Sequence, residues 1–222
     1  MAHRTRIKVC GITDSGDAAA LASLGIDALG FIFVKESPRY IEPELAQKII
    51  RQLPPFVDTV GVFVNEDPDL VNDIAQYCSL TLVQLHGSEP PEYCESINSQ
   101  VIKVFRVQDD SSLAARERYA GLVKCFLLDT YHTNLAGGTG KSFDWRLASD
   151  SAFPGPFILA GGLNADNVEE AIKLVKPFAV DVSSGVESEP GRKDITKVKE
   201  IIAAVKKADQ DLYAISSPEI KE

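Results

Sequence analysis

The chain is 222 residues long, with 45% hydrophobic and 25% charged residues and a formal net charge of -9 at pH 7. That length fits one domain whose folding buries roughly 70% of the unfolded chain's surface. The negative charge disfavours nucleic acid and anionic membranes, and no apolar run approaches the ~18 residues a membrane span requires, so neither class of partner is expected.

Four cysteines, Cys10, Cys78, Cys94 and Cys125, stand apart with no CxxC pair. A chain of this size needs no disulfides, so the pattern points to a reducing, cytoplasmic compartment and to no metal site. Met1 to Arg6 is too short and too polar for a signal peptide. No organelle-targeting segment is expected within this chain.

In chain order, Arg6–Ile12 reads as a first strand and Asp14–Leu24 as a helix stopped by Gly25. Ala28–Phe33 is a second strand, followed by a helix opened by Pro43 and running through Leu53. Thr59–Val64, the helix Pro68–Tyr77 and Leu80–Leu85 repeat the rhythm. Pro90–Ile97 is a weaker helix before the strand Val101–Val107, and Ser111–Tyr119 is another before Cys125–Asp129. A weak helix at Ser142–Ala148 precedes the strand Phe157–Ala160. Asn164–Val175, the strand Ala179–Val182 and the helix Asp194–Lys207 complete the series. Eight short, continuously apolar runs separated by helices suit parallel strands covered on their outer face. The fold class is therefore α/β, a single (β/α)₈ TIM barrel spanning 1–222, with an open doubly wound sheet as the competing architecture. Residues 209–222 read as a flexible C-terminal tail.

Barrel chemistry sits where the strands end. In the first strand Lys8 and Cys10 share a face, and the other face, Ile7 and Val9, suits the helices, so Lys8 and Cys10 should point inward. A lysine beside Cys10 favours a thiolate, which serves as a base or nucleophile. A buried free cysteine acting as a small hydrophobe is the plainer alternative. Asp129 closes the sixth strand, where a carboxyl is either a general acid at a polar mouth or a loop cap. Arg39, in Ser37-Pro38-Arg39-Tyr40, either forks onto a carboxylate or is solvated. Glycine-rich segments at Gly137–Gly140, Gly161-Gly162 and Ser184-Gly185 follow strands six, seven and eight, where this architecture binds phosphate through backbone amides. Asp181 and Ser183 share inward parity, as do Gln84 and His86; His86 reads as a structural histidine. The other histidines, His3 and His132, read as exposed, and no spacing resembles a metal site.

Eight segments in order carry a specific resemblance. They are Lys8-Val9-Cys10-Gly11-Ile12-Thr13, Gly30-Phe31-Ile32-Phe33, Ser37-Pro38-Arg39-Tyr40, Gln84-Leu85-His86-Gly87, Leu127-Leu128-Asp129-Thr130, Gly137-Gly138-Thr139-Gly140-Lys141, Leu159-Ala160-Gly161-Gly162-Leu163 and Asp181-Val182-Ser183-Ser184-Gly185-Val186-Glu187. From about Arg6 to about Val205 the chain resembles the phosphoribosylanthranilate isomerases of tryptophan biosynthesis. The resemblance implies an Amadori rearrangement of a phosphorylated aminoaldose, with Cys10 as general base and Asp129 as general acid. It also implies Arg39 on the substrate carboxylate, and Gly138, Gly140, Gly161, Gly162, Ser184 and Gly185 around the phosphate. No cofactor and no obligatory protein partner are implied. The histidine-pathway isomerase uses two aspartates where this chain has Cys10, and metal-dependent epimerases would want more than three scattered histidines. A catalytically silent phosphosugar-binding barrel is the alternative of another class; it would need neither Cys10 nor Asp129.

Overall fold

The computed structural model describes residues 4–107, 110–129, 145 and 153–216. Eight parallel strands close into a barrel in sequence order: β1 (Arg6–Cys10), β2 (Ala28–Ile32), β3 (Asp58–Phe63), β4 (Leu82–Leu85), β5 (Gln100–Arg106), β6 (Cys125–Asp129), β7 (Phe157–Ala160) and β8 (Ala179–Val182). The ring shuts where β1 pairs with β8, Lys8 lying opposite Asp181. The barrel expected from the sequence is thus the one observed, and the open sheet is excluded.

Side-chain alternation divides the core in two. Val60, Ile102, Val104, Leu127 and Ile158 pack inside the barrel, while Ile7, Val9, Leu29, Phe31 and Leu128 face the helices. Lys8, Gln84 and Asp181 are buried polar residues on the inward parity. The helices on the outer face are α1 (Ser15–Ser23), α2 (Pro43–Ile50), α3 (Pro68–Cys78), α4 (Pro91–Glu95), α5 (Val168–Val175) and α6 (Ile195–Ser216). Their starts follow local chemistry. Asp14 accepts from Gly16 N and Asp17 N to open α1, and Asp67 accepts from Asp69 N and Leu70 N to open α3. Each such cap is worth about 1 kcal/mol.

Two expectations need correction, and one element was not expected at all. Ser111–Tyr119 is two 3₁₀ turns, Asp110–Leu113 and Arg116–Tyr119, pinned by buried Leu113 and by Tyr119, whose hydroxyl donates to Glu89 O at 2.8 Å. Of the expected tail, 209–216 belong to the last helix and 217–222 lie outside the described residues. The helix runs to Ser216, because Asp209 accepts from Thr5 N and Thr5 Oγ1 at 2.9 and 2.6 Å and Asp211 pairs with Lys173 at 2.6 Å. Finally, an unforeseen hairpin, β9 (Glu187–Glu189) and β10 (Arg192–Lys193), follows β8. The weak helix at Ser142–Ala148 lies outside the described residues except for buried Trp145.

The N-terminal end of the barrel interior holds a hollow of about 380 Å³, lined by Lys8, Ala28, Val60, Leu82, Ile102 and Ala179 among others. Among the described residues, no helix is long and apolar enough to cross a membrane.

Candidate active site at the C-terminal mouth

At the other end of the barrel a cavity of about 420 Å³ opens, and the ends of β1, β4, β6, β7 and β8 all reach it. Cys10, Arg39, Asp129, Gly161, Gly162, Ser184 and Gly185 line it together. So do Gln84, His86, Asp181 and Ser183, as strand parity requires. Gly138 and Gly140 lie outside the described residues.

Cys10 ends β1 with its sulfur over Gly30 of β2. A Cβ added at Gly30 would sit 2.7 Å from Cys10 Sγ, so any larger residue there would displace the thiol. Ser183 Oγ and Lys193 Nζ both donate to Cys10 O, at 3.1 and 2.6 Å, which fixes the backbone beneath the thiol. Burial pushes the Cys10 thiol up, and the nearby Lys8 and Lys193 ammonium groups offset this only in part. The thiolate expected beside a lysine is therefore not the resting form at neutral pH. Lys8 Nζ donates to Asp181 Oδ2 at 2.9 Å. Burial alone would lower the Lys8 pKa, but Asp181 and Cys10 together outweigh it, so Lys8 is held as an ammonium.

Arg39 reaches the cavity from the loop after β2, its stem lying on Gly11. A Cβ at Gly11, where φ is +82°, would come 2.6 Å from Arg39 Cδ. The Arg39 guanidinium is aimed by a residue the sequence reading left without a role. Arg39 Nε donates to Glu187 Oε1 at 2.9 Å, and Arg39 Nη2 donates to Glu187 Oε2 at 2.6 Å. Lys193 Nζ donates to the same buried carboxylate at 2.6 Å. Burial would raise the Glu187 pKa, but the two cations win and hold the carboxyl below its ordinary range. Glu187 and Lys193 were missed because their strands belong to the hairpin; the signal was the turn Pro190-Gly191 between charged residues.

On the far side of the cavity Asp129 ends β6. His86, expected to be structural, lies beside it: His86 Nε2 is 3.2 Å from Asp129 Oδ2, and Gln84 Nε2 is 3.3 Å from His86 Nδ1. Gln84 Oε1 and Asp181 Oδ1 are buried and find no hydrogen-bond partner among the described residues. Two acceptors of this kind on one cavity suit a hydroxyl-rich ligand. Above them the backbone turns left-handed at Gly161 and Gly162, with φ of +95° and +68°. A short 3₁₀ turn, Ser184–Val186, follows β8. The mouth thus offers a thiol, a carboxyl, a guanidinium and glycine-rich backbone around one small space.

Comparison with known proteins agrees with this arrangement. Residues 7–204 match the family model for N-(5'-phosphoribosyl)anthranilate (PRA) isomerase. The N-(5'-phosphoribosyl)anthranilate isomerase of Geobacter sulfurreducens is 54% identical over 201 residues, covering 90% of this chain and 98% of that relative. The crystal structure of phosphoribosyl anthranilate isomerase from Thermotoga maritima superposes with a TM-score of 0.85 at 46% identity, over 91% of this chain and 99% of that one. A further structure of the isomerase, in complex with reduced 1-(o-carboxyphenylamino)-1-deoxyribulose 5-phosphate, superposes with a TM-score of 0.81 at 43% identity, over 91% and 99% of the two chains.

Proposed function

Because the chain belongs to the N-(5'-phosphoribosyl)anthranilate isomerase family, we propose that it converts that aminoaldose to the ketose 1-(o-carboxyphenylamino)-1-deoxyribulose 5-phosphate in tryptophan biosynthesis, with Asp129 as general acid and Cys10 as general base. The observation that carries the assignment of roles is that Cys10 and Asp129, from β1 and β6, open onto one cavity whose rim is the glycine-rich backbone after β7 and β8. A substrate spanning that cavity has its sugar between an acid and a base.

The proton steps balance without outside help. Asp129 protonates the furanose ring oxygen, the C1'–O bond breaks, and the anthranilate nitrogen lone pair closes a Schiff base. The small fraction of Cys10 present as thiolate takes the C2' proton, and the electron pair flows into the Schiff base to give an enolamine. The enolamine becomes the ketone when C1' gains a proton and the 2'-hydroxyl loses one. The Schiff base is its own electron sink, so the chemistry asks for no cofactor. Arg39 holds the anthranilate carboxylate through the part of its guanidinium not bound to Glu187. Gly161, Gly162, Ser184 and Gly185, with Gly138 and Gly140, hold the phosphate, and this fixed end positions the sugar for both proton transfers. Gln84 and Asp181 accept from the ribosyl hydroxyls. The partner is this phosphorylated small molecule, and the reaction belongs in the cytoplasm.

Turnover of freshly prepared phosphoribosylanthranilate, followed by loss of its fluorescence, tests the reading. The wild type should be active, and Cys10→Ser and Asp129→Asn should each lose at least about 100-fold in kcat. A folded but inactive wild type would overturn the activity; an unaffected Cys10→Ser would remove Cys10 as the base.

A further inference from the structure

His86 and Gln84 leave β4 on the same face and enter the cavity beside the proposed acid. The two contacts along this line allow one consistent set of directions. With the Gln84 amide in this orientation Nε2 donates, so His86 Nδ1, 3.3 Å away, is the acceptor and carries no proton. The ring's proton is then on Nε2, which donates to Asp129 Oδ2 across 3.2 Å. Gln84 itself is buried at 1% exposure and cannot swing away into solvent. This is a built chain of three side chains, Gln84 to His86 to Asp129, ending on a reacting group.

We infer that His86 is a positioning residue for the general acid, with Gln84 setting its tautomer; the inference rests on the reading of Asp129 given above. The physical role is twofold. A donor on Oδ2 fixes the plane of the Asp129 carboxyl, and with it the direction in which the acidic proton points. When Asp129 has given that proton to the ring oxygen it becomes a carboxylate, and the His86 N–H bond becomes charge-assisted and stronger. An interaction that strengthens as the proton leaves lowers the barrier and leaves ground-state binding alone. Its loss should therefore appear in kcat and not in KM.

The test compares the wild type with His86→Ala, His86→Gln, Asp129→Asn and the double variant His86→Ala/Asp129→Asn, each checked for a native thermal melt. His86→Ala should lower kcat by about 10- to 100-fold, with KM changed less than about threefold. His86→Gln places an amide N–H near the lost Nε2 and should restore most of that loss. On the Asp129→Asn background His86→Ala should cost less than about threefold, because the group it acts through is gone. An inactive wild type, or an unimpaired Asp129→Asn, would sink the assignment of Asp129 and this inference with it. A wild type that needs Asp129 while folded His86→Ala keeps full kcat would sink the inference alone. So would an equal loss from His86→Ala in both backgrounds. Nitrogen-15 NMR of labelled histidine in the wild type gives an answer even if His86→Ala does not fold. The His86 signal, identified by its absence in His86→Gln, should show protonated Nε2 and bare Nδ1, and Gln84→Leu should abolish that preference. A protonated Nδ1 with a bare Nε2 in the wild type would overturn the inference.

Discussion

Cys10 combines two opposing demands. The proposed base must be able to lose its proton, yet Cys10 is buried, and burial favours the neutral thiol. The Lys8 and Lys193 ammonium groups reduce that cost without cancelling it. Only the thiolate is alkylated. Carbamidomethylation of Cys10, followed by mass spectrometry of its peptide, should therefore keep accelerating by about tenfold per pH unit beyond the ordinary thiol value of ~8.5. A rate that levels off below that value would show a lowered thiol and contradict the burial argument. At this scale the sequence was informative wherever strand parity decided the matter: Lys8, Cys10, Gln84, Asp181 and Ser183 all lie where alternation puts them. It was silent on contacts between residues far apart in the chain. Glu187 is 148 positions from Arg39, and no periodicity announces that pairing. His86 looked structural because a lone histidine carries no sign of its neighbours, and the neighbour that matters is 43 residues away on β6.

Among the elements, the strands and the longer helices were legible because continuous apolar runs and helix-cap residues are local signals. What failed were elements held by distant partners. The last turns of α6 have little apolar pattern, and their order comes from Asp209 gripping Thr5 at the start of β1. Thr5 is 2% exposed, so removing the carboxylate leaves its N–H and hydroxyl buried without that acceptor. Asp209→Ala should cost about 2 kcal/mol in urea unfolding and leave kcat unchanged, since Asp209 bonds Thr5 and does not line the mouth. A loss below about 0.5 kcal/mol would mean water replaces the carboxylate freely. The β9–β10 hairpin was missed for the same reason: its anchors, Glu187 with Arg39 and the Lys193 backbone N–H with Asp17, reach across the chain.

For the molecule as a whole, the buried ion pairs set the response to acid. Glu89, bonded to Lys103, and Glu187, bonded to Arg39 and Lys193, are buried, yet their cations hold both carboxyls below the ordinary range. The unfolded chain therefore takes up protons at higher pH than the fold does. Stability from these groups is complete above the unfolded carboxylate value of ~4.3 and is lost as pH falls below it. Urea unfolding from pH 7 to pH 3 should be flat above about pH 5, then fall by up to about 1.4 kcal/mol per pH unit for each such carboxylate. Glu187→Gln should start less stable at pH 7 and fall less steeply; an unchanged slope would remove Glu187 from the account. Lys8 lines the hollow at the N-terminal end, Asp181 lines the cavity at the mouth, and the layer formed by their ion pair lies between the two. That layer works as a bulkhead across the barrel. Substitutions below it at Ala28, Leu82 or Ala179 alter packing away from the cavity proposed to bind substrate. Those above it at Cys10, Gln84 or Asp129 alter the groups proposed to carry the chemistry. Durability and catalysis can thus drift independently along one axis of one small domain, and a lineage can adapt to heat or cold from below while its reaction is conserved above.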